Sequence, residues 1–254
     1  MDDVVVNILE RPELKNSILI EGLPGIGLVG KLAGDHMKDE LKAVKFAEII
    51  SCYLPPQVNI QDDGTIKLVN MELYYWRGNR DLIFLVGDFQ GITPDSQYKL
   101  AEKTLELAQQ FDVKRIFTLG GLGTGAITSN PRVFGAATTK ELVSEVEKYG
   151  VIFKGGGAIF GASGLLLGLA MPLGIGAVCL MGETHGQIID AKSAEAVLTV
   201  LSKILDVKVN MEEIEKKAKQ TEEQLNQMSR MITSHKKAQE RQQQLLNESP
   251  TYIR

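Results

Sequence analysis

The chain has 254 residues, enough for one large domain or for one domain with an appendage, and 44% of them are hydrophobic, so a substantial core can be buried. Its formal net charge of −4 at pH 7 argues against a nucleic-acid-binding protein, because such proteins normally carry a basic surplus on one face. The longest apolar stretch, Gly161 to Leu180, is rich in Gly and Ala and is broken at Pro172, which predicts a buried helix and strand rather than a membrane span.

The first fifteen residues contain neither a basic region nor a long apolar run, so we expect no signal peptide and a cytoplasmic protein. Cys52 and Cys179 lie far apart in apolar surroundings, which predicts two buried thiols in a reducing compartment rather than a disulfide. No group of cysteines and histidines has the spacing of a zinc site. We therefore expect neither a metal nor a cofactor.

Up to about residue 205, short apolar runs alternate with amphipathic stretches, which is typical of an α/β domain with a largely parallel sheet flanked by helices. The segment Arg77 to Arg80 predicts an antiparallel hairpin, so we expect the sheet to be mixed. Thr93 before Pro94 predicts the start of a helix, with the threonine as N-cap. The predicted strands are Ser17–Glu21, Ala43–Ser51, Ile66–Trp76, Asp81–Val86, Arg115–Leu119, Ala158–Phe160 and Ala177–Met181, and the predicted helices are Leu28–Leu41, Asp95–Phe111, Ala136–Tyr149, Gly164–Ala170 and Ala191–Leu205.

The stretch GLPGIGLVG, residues 22–30, follows the first predicted strand and opens a predicted helix. Its second half matches the G-x-G-x-x-G dinucleotide fingerprint, but the acidic residue at the expected distance, Glu48, falls inside a predicted strand. The same glycines with Lys31 resemble a P-loop, but Leu32 stands where a hydroxyl would bind magnesium. We favour a third interpretation, in which the glycines permit a tight turn and close helix–sheet packing.

Further glycine-rich stretches flank other predicted strands, and loops beyond the carboxyl ends of parallel strands gather at one edge, where ligands bind. A nucleotide- or nucleoside-binding enzyme is therefore the alternative function. A catalytic set is missing, because the segment Gly161 to Gly164 fails the G-x-S-x-G spacing, and only one histidine has a suitable position. The candidate crevice residues are Gly25, Gly27, Asp88, Gly123, Gly125, Glu183 and His185.

The composition changes after Val209, because residues 210–247 contain neither Gly nor Pro and are rich in Glu, Lys and Gln. Apolar residues recur there at alternating spacings of three and four, which predicts a helix with a heptad seam, on the order of 50 Å long or more. We expect contact along the first half of this helix and projection of the second, and we divide the chain into 1–208 and 209–254. The seam positions are Met211, Ile214, Ala218, Thr221, Leu225, Met228 and Ile232.

The last four residues, Thr251 to Arg254, follow a Ser-Pro pair that stops the helix. They combine an aromatic side chain, an aliphatic side chain and a free carboxylate. Such a tail can insert into a pocket of a partner, where a cation or backbone donors capture the carboxylate. The alternative is an unstructured end.

Several of these blocks, taken together, resemble the archaeal branch of the proteasome assembly chaperone family. The resemblance covers roughly residues 15–205 in order, and the combination is far more specific than any one glycine motif. The blocks are EGLPGIGLVG at 21–30, LPP at 54–56, GGLGTG at 120–125, GASGLLLG at 161–168 and GETHG at 182–186.

The resemblance implies an α/β domain similar in shape to nucleoside phosphorylases and hydrolases, without an established catalytic set. It also implies small homo-oligomers that bind α-subunits of the proteasome core particle. Proteasome activators and some chaperones of this kind end in a hydrophobic residue, a tyrosine and any last residue, which dock between neighbouring α-subunits. Here Tyr252 is third from the end, so Ile253 would take the place of the tyrosine, and we predict that Tyr252, Ile253 and Arg254 bind the partner.

The sequence therefore predicts a non-enzymatic, chaperone-like scaffold that binds the proteasome through its C-terminal helices, with neither nucleic acid nor membrane as a partner. A further alternative is a homo-oligomer in which the coiled coil serves assembly alone.

Overall fold

The computed structural model describes residues 3–126 and 128–220. In these residues the chain forms a nine-stranded sheet, a separate two-stranded hairpin and helices that pack on both faces of the large sheet. None of the helices in the described ranges has the length and apolar character that crossing a membrane requires. The strands are β1 (Val4–Ile8), β2 (Ser17–Gly22), β3 (Val44–Ser51), β4 (Val58–Ile60), β5 (Ile66–Leu68), β6 (Met71–Arg77), β7 (Asp81–Gly87), β8 (Val113–Gly123), β9 (Val133–Ala137), β10 (Ile152–Phe153) and β11 (Gly176–Thr184).

The helices alternate with the strands, as the sequence predicts. Residues 212–220 are also helical. The other α-helices of the described residues are α1 (Val29–Glu40), α2 (Pro94–Gln110), α3 (Lys140–Glu147), α4 (Gly161–Ala170) and α5 (Ala191–Leu205).

The large sheet is mixed, with the strand order β1-β3-β6-β7-β2-β8-β11-β9-β10. Its four central strands, β7, β2, β8 and β11, run parallel to one another. The strands β1, β3 and β6 extend the sheet with antiparallel pairings on one side, and β9 pairs antiparallel with β11 on the other. The predicted α/β class with a mixed sheet is confirmed, and the parallel part is concentrated at its centre.

The core forms two layers, because alternate side chains of each strand point to opposite faces of the sheet. On β2, Leu19 packs under α2 and α4, whereas Ile18 and Ile20 pack under α1 and α5. The first layer contains Phe46, which is fully buried, and the second contains Phe84.

Several predicted elements are confirmed almost residue for residue. Helix α5 has the predicted bounds, and β6 and β7 form the predicted antiparallel hairpin. Helix α2 begins with Thr93 as N-cap, whose hydroxyl accepts from the Ser96 amide, and the Ser96 hydroxyl in turn accepts from the Thr93 amide. This reciprocal capping box satisfies amides at the helix start that would otherwise lack partners.

Other predicted elements are wrong. The single strand predicted over Ile66–Trp76 is two strands, because β5 leaves the large sheet to pair with β4. Residues 158–160, predicted as a strand, are irregular. The first part of the helix predicted over Ala136–Tyr149 belongs to β9, and α3 begins only after its N-cap Thr139.

The glycine-rich stretches at 120–123 and 182–184 are strand rather than loop. They form the ends of β8 and β11, where Gly121 lies opposite Gly182. The pairing of the two strands uses backbone groups alone, so it holds the glycines in an extended conformation despite their low strand propensity. The carboxyl edge of the sheet therefore lies further along the chain than predicted.

The two cysteines differ in their surroundings. Cys179 is buried on β11, as predicted, but Cys52 is exposed in the turn after β3, which corrects the prediction of two buried thiols. Both cysteines are free, as predicted.

Candidate functional site

The first glycine motif forms the turn between β2 and α1, at the carboxyl end of the parallel strands. Gly27 has a φ of 64° and Leu28 a φ of 52°, so two successive residues have left-handed conformations. The Asp190 amide donates to the Gly27 carbonyl at 2.8 Å and ties this turn to the start of α5. The turn is thus fixed by its own backbone and by a neighbouring element.

Two glycines of this motif, Gly22 and Gly30, are packed against other backbone atoms. A Cβ on Gly30 would lie 2.1 Å from the Leu119 carbonyl oxygen on β8, and one on Gly22 would lie 2.9 Å from the Cα of Gly34. The second glycine motif packs on the first, because a Cβ on Gly121 would lie 2.3 Å from the Ile26 carbonyl oxygen. These distances support the packing interpretation of the motifs.

Lys31, which a P-loop would aim at phosphates, is engaged by carboxylates. Its ammonium lies 3.0 Å from Asp35 and 3.1 Å from Asp88, and it donates to the Gly87 carbonyl. Burial alone would lower the pKa of Lys31, but the two carboxylates outweigh burial and raise the pKa above its usual value. The charge that would attract a nucleotide is therefore already neutralised.

Asp88 belongs to a charged cavity of about 480 Å³, lined by α1, the β4–β5 hairpin and part of the helical segment 212–220. Glu72 lines the same cavity and pairs with Lys45 and Lys67. Burial would raise the pKa of Glu72, but hydrogen bonds from these two lysines hold it below its usual value. Lys31, Lys45 and Lys67 therefore pair with carboxylates of the chain itself.

A second, more apolar crevice of about 390 Å³ lies at the carboxyl ends of β2 and β8. Of the predicted crevice residues, Gly25 and Gly123 line it. Gly27 instead packs on Thr184. Gly125 has a φ of 70°, and a Cβ on it would meet no atom within 4 Å. The predicted crevice residues therefore do not share one site, since Gly25 and Gly123 line the apolar crevice and Asp88 lines the charged cavity.

Glu183 and His185 do not form a catalytic pair with this crevice. Two hydrogen bonds from Arg132 reach the Glu183 carboxylate at 2.8 and 2.7 Å, and mainly for this reason the pKa of Glu183 lies below its usual value. His185 is half-buried, and its Nδ1 makes no hydrogen bond within the described residues. The carboxylate is held as a structural ion pair.

Glu21, which the sequence analysis missed as a site residue, is a buried carboxyl beneath the crevice. It is 1% exposed, and it accepts from the Ser163 hydroxyl at 2.9 Å and from the Leu23 amide at 3.1 Å. Burial raises the pKa of Glu21 to about 7, against the opposing effect of these hydrogen bonds. A glutamate among the apolar residues of the strand SILIEG was the available signal.

Gln90 joins the elements around the same crevice. Its side-chain amide donates to the Pro24 carbonyl at 2.7 Å, and its carbonyl accepts from the Ala162 amide at 3.0 Å. Ser163 lies next to this junction, but no histidine or lysine of the described residues hydrogen-bonds its hydroxyl. A serine with only a buried carboxyl beside it lacks the base that would activate it as a nucleophile.

The described part of the C-terminal seam packs on the domain itself. Ile214 and Ala218 are 1% and 0% exposed, and Met211 contacts the core layer under α1 and α5. The expected contact along the start of the helix is therefore made within the chain. The seam residues Thr221, Leu225, Met228 and Ile232 and the tail residues Tyr252, Ile253 and Arg254 lie outside the described residues.

Within the described residues, no group of three or more His, Cys, Asp or Glu side chains is arranged to hold a metal ion.

Comparison with known proteins gives a family and several relatives. The model described as the PAC2 family matches residues 19–229. An uncharacterized protein of Methanocaldococcus jannaschii, MJ1210, is 43% identical over 211 residues, which cover 83% of this chain and 82% of that protein. A second, MJ0106, is 30% identical over 217 residues, which cover 85% and 87%.

Among solved structures, this chain is similar to Pyrococcus furiosus PbaB, described as an archaeal proteasome activator. The TM-score is 0.85 at 40% identity, over 90% of this chain and all of that one. Pyrococcus furiosus PbaA, described as an archaeal homolog of proteasome-assembly chaperone, aligns with a TM-score of 0.75 at 30% identity, over 92% and 99% of the two chains. A PAC2 family protein from Streptomyces avermitilis shares the fold, with a TM-score of 0.71 at 19% identity, over 83% and 95%.

Proposed function

The chain belongs to the PAC2 family, and we propose that it is a proteasome assembly chaperone-like protein that binds the proteasome core particle. One observation carries this proposal. The chain aligns over nine-tenths of its length with a protein described as an archaeal proteasome activator, at 40% sequence identity. A protein described as a homolog of proteasome-assembly chaperone aligns over a similar length.

We infer further that the protein is a homo-oligomer whose C-terminal helices and tail engage α-subunits of the core particle. The heptad seam of residues 210–247 supports this inference, because a helix with an apolar stripe requires a partner surface. The burial of Ile214 and Ala218 anchors the start of this segment on the domain. The terminal Tyr252-Ile253-Arg254 offers an aromatic ring, an aliphatic side chain and a free carboxylate for capture in a pocket.

The chaperone-like function is favoured over the nucleotide-binding enzyme. Gly30, the second glycine of the suggested phosphate loop, packs on the backbone of β8, and Lys31 is paired with Asp35 and Asp88. We expect calorimetry with nucleotides and nucleosides at millimolar concentration to give no heat, and thermal melting to show no shift. A saturable heat with a matching rise in melting temperature would favour the enzyme.

The test of the proposed function is capture of purified core particles and of free α-subunits. The full chain is compared with a chain that lacks residues 247–254, and the size of each is measured in the same samples. We expect capture by the full chain alone and the same oligomer in both. Capture by neither would overturn the function, and capture by both would move the docking element away from the tail.

Point variants sharpen the assignment of the tail. Ile253→Asp should abolish capture if this side chain fills an apolar pocket. Arg254→Lys is the matched control and should retain capture, because it preserves the charge and the terminal carboxylate. Tyr252→Ala distinguishes the two registers: a small effect is expected if Ile253 takes the place of the tyrosine, and a loss as large as that of Ile253→Asp would place Tyr252 in the main pocket.

A further inference from the structure

The β4–β5 hairpin turns its apolar face away from the protein. Val58 pairs with Leu68 and Ile60 pairs with Ile66, so four aliphatic side chains lie on one face of the two strands. The exposed fractions are 46% for Val58, 48% for Leu68, 78% for Ile60 and 68% for Ile66. The outward hairpin face, as we call these four residues, is therefore a contiguous apolar surface that no described residue of the chain covers.

The inner face of the hairpin is polar and fixes its orientation. Asn59 and Lys67 lie opposite each other on the two strands. The Asn59 amide donates to Asp88 at 3.3 Å, and the Lys67 ammonium lies 2.9 Å from Glu72. A shift of one residue in the pattern would have placed the aliphatic residues against the domain, so the polar anchors hold the apolar side chains in solvent.

This arrangement is the reverse of the usual one, in which a hairpin buries its apolar face and exposes its polar face. A two-stranded hairpin is at best marginally stable by itself, and here its own apolar residues contribute little burial. The four side chains together expose a few hundred Å², an apolar patch of the size that marks interaction sites on monomers.

We propose that the outward hairpin face is a surface through which two copies of this chain associate. This inference rests on the homo-oligomer of the proposed function and deepens it by naming the interface. The face is self-complementary, because it consists of two cross-strand aliphatic pairs of similar size. A two-fold axis that lies in the contact plane, perpendicular to the strands, stacks the Val58–Leu68 pair of each copy on the Ile60–Ile66 pair of the other and gives an isologous contact.

The charges of the hairpin favour this two-fold arrangement. The turn between the strands carries Asp62 and Asp63, so each tip is acidic. An axis perpendicular to the strands places the two tips at opposite ends of the contact, whereas an axis parallel to the strands would bring four carboxylates together. A different protein would need a matching flat apolar surface, whereas a second copy of this chain carries the same hairpin face.

The area of the outward hairpin face limits the affinity that we expect between two copies. The patch on each copy is about half of the roughly 800 Å² that a standard interface buries per partner. We therefore expect association through this face to depend on concentration, and to add to other contacts between copies.

The test is sedimentation of the full chain over a wide range of concentrations. Ile60→Glu and Ile60→Lys should each raise the dissociation constant about tenfold or more, because each would bury a charge at the contact. Mixing the two variants should restore part of the association, since the charges at position 60 of the two copies lie diagonally across the contact and are then opposite in sign. Met171→Glu is the matched control: it changes a side chain that is 57% exposed, at the opposite end of the sheet, and should leave association unchanged.

At concentrations too low for association through this face, thermal melting of all variants should match the unaltered chain, because the side chains that change are then in solvent. Unchanged association of both Ile60 variants would overturn the proposal, as would a chain that remains monomeric at every concentration. Unchanged association with lost capture of core particles would assign the face to the proteasome and would equally overturn it. Failure of the unaltered chain to capture core particles would overturn the proposed function alone, because self-association is measured without the proteasome.

Discussion

The hydroxyl of Ser163 on α4 donates a hydrogen bond of 2.9 Å to the carboxyl of Glu21 on β2, beneath the apolar crevice. Glu21 is buried without a cation beside it in the described structure, and burial raises its pKa to about 7. This contact makes the junction of α4 and the central sheet sensitive to protonation near neutral pH.

The first prediction concerns Glu21→Gln. The pKa of Glu21 is raised on folding, so its contribution to stability is fully present below its usual value of 4.5 and is lost as the pH rises through about 7. We expect the glutamine variant to match the unaltered chain near pH 4 and to be more stable by about 3 kcal/mol at pH 8. Urea unfolding at both pH values measures this. A difference independent of pH would contradict the prediction.

The second prediction concerns Gly30→Ala. The added methyl would meet the Leu119 carbonyl oxygen at 2.1 Å, so α1 must move away from β8. We expect a loss of about 2–4 kcal/mol in the free energy of unfolding. Gly25→Ala is the matched control, because Gly25 has an extended φ of −150° and open space around it, and it should change stability by less than about 0.5 kcal/mol. Equal effects of the two changes would refute the packing interpretation of the motif.

The third prediction concerns the ion pair of Arg132 and Glu183. Glu183 is only 6% exposed, so Arg132→Ala leaves a nearly buried carboxylate without its cation. We expect a loss of stability at pH 7 that solvent partly screens, because the Arg132 side chain is 54% exposed. Adding Glu183→Gln should recover part of this loss, since it removes the unpaired charge. Additive effects in the double-mutant cycle would show that the two side chains are not coupled.

The fourth prediction concerns the two thiols. Burial raises the pKa of Cys179 to about 12, whereas Cys52 is exposed. We expect a thiol reagent at pH 8 to modify one thiol per folded chain rapidly and the second only in urea. Cys52→Ser should remove the rapid reaction. Two rapid thiols in that assay would place Cys179 nearer to solvent than its position on β11 allows.

Much of the fold follows from local patterns in the sequence. The periodicity of α5 and the Thr93-Pro94 signal of α2 depend on residues within one helix, and both predictions are confirmed. The ends of β8 and β11 could not be predicted in this way. Gly121 is extended because Gly182, more than sixty residues later, pairs with it, and glycine itself has no preference for a strand.

The site was predicted less well than the fold, for a related reason. The sequence places glycines and acidic residues near strand ends, but it does not show which acid meets which cation. Lys31 with Asp88, and Arg132 with Glu183, are pairs between distant segments, and each removes a residue from the predicted ligand crevice. Glu21 was missed because its burial depends on α4, which packs over it from another part of the chain.

The parallel centre of the sheet also determines when strand β2 can find its neighbours during translation. Strand β2 is made early, yet its neighbour β7 follows about sixty residues later and its neighbour β8 almost a hundred residues later, with Leu19 opposite Ile83 and Ile116. Until residue 118 has left the ribosome, one side of β2 lacks its full partner. The central strand of the native sheet is thus an open edge in the nascent chain, and the time for which it stays open is set by the rate of translation.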